Sequence, residues 1–359
     1  MPKSLGTQNE EKDKRYVTFR ENTTSKLIMD MLALYGECTL DQLTAFIERK
    51  GETIQKAICK LDSLGYVNTR MAWGKKIVML SKMSKKHLCI ADKPQEEYPM
   101  SERKLIRRAR ASEVKMAFSV TAPETQTSIE DSFIDIKDIK NQYNEIAIKL
   151  SRMFGIYSHG GRHYAVFNIG GGIAWNQNVE QKAREWIRDV YLNGQLNAQI
   201  IFVRDMNAAI RTLTVGKGKQ SLTTRNTAYN KMIVFPLSRE GHMQLKLFRS
   251  LDDPHNQLSQ LIFSDNEINR HGNSLYDGLI KNDYGTRVPA VALFVCDMMR
   301  VDSVIGLASS NAVATIYVAC FDIQEEFYEA VFNEYPQVEI LSYPFKAICE
   351  KLLNQTLEL

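Results

Sequence analysis

Polar and basic side chains recur at helical spacing in one short segment of this chain, residues 51–63. They lie off an apolar stripe and comprise Thr53, Gln55, Lys56 and Lys60. In the major groove of DNA, a side-chain amide can pair with adenine, and an ammonium group can reach guanine edges or phosphates. The spacing therefore predicts a helix whose outer face contacts duplex DNA, with an ordinary solvated helix surface as the alternative.

A second basic group surrounds the turn Trp73-Gly74, which separates two extended runs, 67–71 and 77–80. Its members are Arg70, Trp73, Lys75 and Lys76. Extended runs joined by a short turn predict a β hairpin, and cations at a hairpin tip can contact phosphates or the minor groove. We expect this hairpin to be the wing beside the DNA-contacting helix.

Three amphipathic helices in a row must position these groups. Apolar residues repeat at helical spacing in residues 27–34, 40–47 and 54–64. Thr39, with Gln42 three residues later, has the sequence signature of a capping box. Three helices followed by a hairpin predict a winged helix-turn-helix DNA-binding domain over residues 23–82, after a polar N-terminal tail over residues 1–22. A role in protein contacts is the alternative for such a domain.

A strongly basic helix over residues 102–118 is predicted within a connector that spans residues 83–135. On this helix, Arg103, Arg107 and Arg110 fall on one side at helical spacing. They can follow a phosphate backbone beyond the winged helix and so extend its footprint on DNA. The alternative is that these arginines are solvated or pair with acidic groups of the C-terminal region.

The charge of the chain is distributed unevenly. Residues 1–120 contain 23 Lys and Arg against 15 Asp and Glu, and the totals of 46 and 42 leave 23 against 27 for residues 121–359. The first third is therefore basic by 8 charges and the rest acidic by 4. A basic head joined to a nearly neutral body is the pattern expected of a DNA-binding protein.

The remaining composition favours a soluble, cytoplasmic protein without a cofactor. Residues 1–20 lack the apolar core of a signal peptide, and the longest apolar run, 288–296, is too short to cross a bilayer. The six cysteines include no Cys-x-x-Cys pair, so neither a structural zinc site nor a disulfide framework is expected. We expect no metal, no cofactor and no membrane partner.

Residues 136–359 alternate short apolar runs with helical stretches, which predicts an α/β domain with a mixed sheet. The candidate strands are residues 154–158, 163–169, 198–203, 231–235, 260–263, 291–295, 314–319 and 338–342. The candidate helices are residues 178–192, 238–250 and 322–332. Residues 121–133 lack periodicity and predict a loop.

Three carboxylates of this domain follow predicted strands, where α/β sheets often place functional groups. They are Asp205, Asp297 and Asp322. Helix capping is the alternative role for them, because the sequence fixes no Lys or His partner. The run 216–221 contains glycines and lysines without the spacing of a phosphate-binding loop. The sequence therefore predicts no catalytic residue.

Three features together resemble the replication-relaxation family. They are the Leu-Gly-Tyr-Val junction at residues 64–67, the basic connector helix, and the paired strands before a helix with Trp186. The resemblance implies a role in plasmid replication control or in DNA processing for conjugative transfer. It also implies a C-terminal fold similar to restriction endonucleases, whose active members hold metal on an Asp and a Glu-x-Lys set along a central hairpin. The matching hairpin here, 153–157 and 163–170, has no carboxylate. The C-terminal domain is thus expected to be either a degenerate, catalytically empty version of that fold or a different fold.

Two classes of function follow from these patterns. The first, which we favour, is a non-enzymatic DNA-binding protein of a mobile element that recognises an origin or operator, with transcription regulation as a variant. The second is a DNA-processing enzyme, a divergent nuclease or relaxase-like protein with a metal site in the α/β domain. The expected partners are double-stranded DNA, a second copy of the chain in a homodimer, and other replication or transfer proteins.

Overall fold

The computed structural model of the protein describes residues 20, 22–47, 49–88, 100–122, 131–170, 175–213, 227–260, 263, 276–310 and 313–353. The chain divides into two compact units, Met1–Met116 and Ala117–Leu359. Helices and sheets occur in both units, as expected of the α/β class. Most of the predicted N-terminal tail and the whole of the run 216–221 lie outside the described residues. Among the helices of the described part, none combines the length and the apolar character that crossing a membrane requires.

The first unit consists of short helices and a small sheet. In chain order its elements are α1 (Thr24–Tyr35), β1 (Cys38–Thr39), α2 (Leu40–Phe46), α3 (Gly51–Ser63), β2 (Val67–Ala72), β3 (Lys75–Leu80), α4 (Lys82–His87) and α5 (Glu102–Val120), whose last residues belong to the second unit. Helix α4 lies at the start of the predicted connector. It forms because the Ser81 hydroxyl caps its first turn by accepting the Ser84 N–H at 3.1 Å.

Buried apolar residues of α1, α2 and α3 form the core of the first unit. Ile28, Leu43 and Ile54 are completely buried and belong to one cluster with residues of β2 and β3. The predicted capping box is confirmed, since the Thr39 N–H donates to Gln42 Oε1 at 2.7 Å and the Gln42 N–H donates to Thr39 Oγ1 at 3.1 Å. These two bonds start α2 directly after β1.

The hairpin of β2 and β3 is covered on both faces. Strand order in the sheet is β1-β3-β2, and directly opposite residues share a face. On one face, Val67 and Val78 join the helical core. On the other face, Ala72 and Ile77 pack against Leu105 of α5. The first half of the predicted basic helix therefore packs on the hairpin.

The second unit contains two mixed sheets rather than the one mixed sheet that we expected. The strands are β4 (Asp131–Asp135), β5 (Gly155–His159), β6 (Arg162–Gly170), β7 (Ala198–Val203), β8 (Lys231–Pro236), β9 (Gly278–Lys281), β10 (Arg287–Ala292), β11 (Ile316–Phe321) and β12 (Val338–Tyr343). The first sheet has the order β4-β5-β6-β7-β8, with its first two pairings antiparallel and the others parallel. The second has the order β12-β11-β10-β9, in which only the β9–β10 pairing is antiparallel. The sheets meet where the Val234 N–H donates to the Cys296 carbonyl at 2.9 Å.

Helices pack around these sheets over one shared core that includes the completely buried Phe167, Ile201 and Val318. They are α6 (Ile136–Gln142), α7 (Ile146–Leu150), α8 (Gln177–Trp186), α9 (Met206–Leu213), α10 (Arg239–Ser250), α11 (Pro254–Gln260), α12 (Met298–Ser309), α13 (Glu325–Phe332) and α14 (Phe345–Leu353). The predicted helix 178–192 is α8 continued by a π-helical turn, Ile187–Tyr191. The predicted helices 238–250 and 322–332 are also confirmed, the second with a 3-10 turn at its start.

Three sequence predictions in this unit were wrong. Residues 131–133, expected in a loop, form part of β4, because Phe133 stacks on Phe118 with ring centroids 4.7 Å apart. Gln260, expected to begin a strand, ends α11, which starts at a proline in the favourable first helical position. The strand expected over residues 291–295 begins earlier and ends at Ala292.

Candidate nucleic-acid interface

The outer face of α3 carries three of the four residues predicted to read DNA. Ile54 and Ile58 are completely buried and turn one side of the helix into the core. At about 100° per residue, Thr53, Lys56 and Lys60 lie together on a ridge away from that side, and all three are exposed. We call these three residues the α3 ridge.

Gln55 is not part of the α3 ridge. It lies on the opposite flank of the helix, is half-buried, and donates from Nε2 to the Cys59 Sγ at 3.6 Å. Its Oε1 atom is buried and accepts no hydrogen bond from the described residues. In this rotamer, the amide cannot present both its donor and its acceptor to an adenine.

The tip of the β2–β3 hairpin displays a large aromatic ring. Trp73 has φ 49° and Gly74 has φ 72°, so both central residues of the turn adopt the left-handed region that a type I′ turn requires. The Trp73 side chain is 59% exposed. A left-handed conformation costs a residue with a side chain about 1–2 kcal/mol, and strain of this kind concentrates at functional sites.

Carboxylates lie beside the basic groups of this tip. The Lys75 Nζ is 3.6 Å from the Asp41 Oδ2 at the start of α2. The Trp73 N–H donates to the Glu102 Oε2 at the start of α5, over 3.4 Å. Lys76 is half-buried on the neighbouring register position of β3. The hairpin tip therefore lies close to the starts of α2 and α5, and Lys75 is paired with the exposed Asp41.

Arg70 lies apart from the other basic residues of the hairpin. It is opposite Ile77, on the face that packs against α5, and it is half-buried. Its Nη1 donates to the Met100 carbonyl at 2.7 Å, which ties the hairpin to the residues before α5. This geometry favours a structural role, which sequence reasoning missed because the partner is 30 residues away.

The arginines of α5 divide into two groups. Arg103 and Arg107 are exposed, and Arg110 is half-buried on the same side of the helix. Arg108, by contrast, forms an ion pair of 2.7 Å with Glu37, in which both side chains are less than 20% exposed. The Arg108 ion pair anchors α5 to the segment after α1. Arg103, Arg107 and Arg110 form a basic side along α5.

The three strand-end carboxylates of the second unit all accept backbone N–H groups at helix starts. Asp205 accepts from Ala208 at 2.8 Å, Asp297 from Met299 at 3.1 Å, and Asp322 from Ile323 at 2.8 Å and Phe345 at 3.1 Å. Asp297 also accepts the N–H of Met232, within β8, at 3.1 Å. Burial raises the pKa of Asp297, whereas the charge of Lys231 opposes that shift. These bonds correspond to the capping alternative considered for the three residues. Among the described residues, no three or more His, Cys, Asp or Glu side chains are grouped to hold a metal ion.

Two polar networks of the second unit, one largely buried and one half-buried, were not predicted. Arg249 donates to Asp131 at 2.5 Å and to the Thr121 hydroxyl at 2.8 Å, and the Tyr157 hydroxyl donates to the same carboxylate at 2.5 Å. In the other network, Asp277 contacts His255 at 3.0 Å and Arg300 at 2.5 Å. Burial of Asp277 opposes its ionisation, but the hydrogen bond from His255 and the charge of Arg300 outweigh that effect and lower its pKa. No local sequence pattern marks such contacts.

Comparison with known proteins finds no family model, no curated protein and no solved structure that matches this chain.

Proposed function

We propose that residues 23–82 are a winged helix-turn-helix and that the protein is a non-enzymatic, sequence-specific DNA-binding protein. One observation carries the proposal. The order helix, strand, helix, helix and hairpin, with the sheet order β1-β3-β2, leaves both the α3 ridge and the hairpin tip exposed within one unit. In winged-helix proteins such a helix enters the major groove while the hairpin contacts the adjacent backbone or minor groove.

In this proposal, some side chains of the first unit contact DNA bases and others contact phosphates. Lys56 and Lys60 can donate to guanine O6 and N7 or to phosphates, and the Thr53 hydroxyl can contact a base edge or a thymine methyl. Lys75, Lys76 and the basic side of α5 would supply contacts to phosphates, which raise affinity for every DNA sequence alike. The basic charge of residues 1–120 supports this assignment.

The resemblance to the replication-relaxation family supports a mobile-element origin or an operator as the target, in plasmid replication, conjugative DNA processing or transcription. For the second unit we propose assembly, by pairing with a second copy and by holding other replication or transfer proteins. A two-fold dimer would present two winged helices to an inverted repeat. Light scattering on the full chain, free and with DNA, tests this part: a mass of two chains is expected, and one chain in both states contradicts it.

The capping bonds of Asp205, Asp297 and Asp322 support a non-enzymatic role, because each carboxylate already accepts hydrogen bonds that hold a helix start.

Footprinting of the full-length protein on the DNA that neighbours its own gene tests the proposal. We expect one or a few protected segments at protein concentrations that leave the surrounding DNA accessible. Uniform protection that disappears as salt is raised would indicate charge attraction alone, and it would contradict sequence-specific binding.

A further inference from the structure

The hairpin of β9 and β10 carries a charge arrangement that costs stability. Lys281 and Arg287 are directly opposite each other across the two strands, and both are exposed. Like charges in directly opposite positions destabilise a sheet. Among the residues that the structure describes, neither makes an ion pair, although Asp283 lies in the loop between them. An anion between the two cations would relieve their repulsion.

The loop of this hairpin presents an aromatic ring on a rigid turn. The Asn282 Oδ1 accepts the N–H groups of Tyr284 at 3.1 Å and Thr286 at 2.9 Å, and the Asn282 N–H donates to the Thr286 carbonyl at 2.9 Å. Gly285 follows with φ 76°, which allows the tight reversal. Tyr284 is 92% exposed, so the fold holds the backbone of the turn and leaves both faces of the ring to solvent. A ring placed in this way binds with little further loss of backbone entropy.

We propose that the β9–β10 hairpin tip binds single-stranded nucleic acid, with an unpaired base stacked on Tyr284 and a backbone phosphate held by Lys281 and Arg287. Tyr284 is three residues along the chain from each of two paired cations, so one hairpin tip offers a ring for a base and two charges for a phosphate of the same strand. In a duplex the faces of the bases are covered by their neighbours, so a stacking ring selects unpaired bases. An acidic peptide would use the cations but not the ring. The site is separate from the α3 ridge and goes beyond the proposed function.

Fluorescence anisotropy of the full-length protein with a labelled oligothymidylate tests this site. Tyr284→Ala is expected to weaken binding roughly 5- to 150-fold, the range that loss of one base–aromatic stack produces. Tyr284→Phe, which keeps the ring, should retain most of the affinity. Lys281→Gln with Arg287→Gln should flatten the dependence of log K on log salt concentration by about 0.7 for each phosphate that the variant no longer neutralises.

Ile146→Ala is the matched control, because Ile146 is also a large apolar side chain, 68% exposed on another element of the second unit. It should leave binding unchanged. The proposal is overturned if the wild type does not bind, or if Tyr284→Ala binds as tightly as the wild type. It is also overturned if Tyr284→Phe loses as much affinity as Tyr284→Ala, or if poly-glutamate competes as effectively as oligothymidylate. A Lys56→Gln, Lys60→Gln variant separates the two functions, since it should lose duplex recognition and keep Tyr284-dependent binding to the single strand.

Discussion

Asp41→Asn is expected to tighten DNA binding, because Asp41 holds one of the lysines proposed to contact phosphate. The Lys75 Nζ lies 3.6 Å from the Asp41 Oδ2, with the two side chains 44% and 77% exposed. A pair this exposed contributes at most about 1 kcal/mol, so Lys75 can exchange it for a phosphate. The substitution also removes a negative charge that repels the DNA, worth about 0.7 kcal/mol at about 6 Å in water. Together these effects, about 0.7 to 1.7 kcal/mol, predict binding roughly 3- to 20-fold tighter.

Anisotropy titrations with duplex DNA between about 50 and 200 mM salt measure this gain, and a steeper salt dependence should accompany it. Asp30→Asn is the matched control, because Asp30 pairs with Lys26 at 2.5 Å on α1 and is also partly exposed. The gain should shrink when Asp41→Asn is combined with Lys75→Gln, since the interaction between the two sites is then already removed. Unchanged or weaker binding by Asp41→Asn, with the fold intact, would refute the placement of Lys75 at the phosphates.

Arg70→Gln should lower the midpoint of thermal unfolding and leave the salt dependence of DNA binding unchanged. Lys76→Gln should leave the midpoint unchanged and flatten the salt dependence. The same behaviour in both variants would contradict a structural role for Arg70 and a phosphate contact for Lys76. Burial lowers the pKa of His242 from 6.5 to about 4, so between these pH values the unfolded chain binds a proton that the folded protein does not. The free energy of unfolding should therefore fall as pH drops from 6.5 towards 4, by up to about 3 kcal/mol. Chemical denaturation across that range should show a flatter profile for His242→Gln, and an identical profile would exclude His242 as the cause. Finally, incubation of supercoiled plasmid with the protein and Mg²⁺ or Mn²⁺ should leave the plasmid intact, because the strand-end carboxylates cap helices; cleavage that disappears on replacing Asp297 would support the enzyme alternative.

Short-range signals were sufficient to predict much of the first unit. The capping box of Thr39 and Gln42 and the turn at Trp73-Gly74 depend only on residues a few positions apart. The apolar stripe on α3 likewise sets which side of the helix faces the core, so the exposure of Lys56 and Lys60 was predictable from periodicity.

Contacts between distant residues were not predictable in the same way. The flank of α3 that carries Gln55 is partly buried, and Arg70 bonds a carbonyl beyond the hairpin, although both residues looked like surface groups in the sequence. Strand β4 pairs along β5, and Gly155 of β5 leaves room for it, since a Cβ there would lie 2.4 Å from the Phe133 ring. A short polar segment that is ordered by such packing carries no periodic pattern of its own.

The ratio of affinities for the footprinted site and for a scrambled duplex tests most directly whether the α3 ridge reads DNA sequence. Lys56→Gln with Lys60→Gln should lower affinity for the specific site by about 30-fold or more, at about 1–3 kcal/mol for each base contact. Binding to the scrambled duplex should weaken much less, through the loss of two positive charges alone. Stability should change little, because both side chains are exposed. Lys346→Gln with Lys351→Gln, which removes two exposed charges from α14, should leave the ratio unchanged. A ratio that is the same in wild type and in the Lys56→Gln, Lys60→Gln variant would contradict recognition by α3.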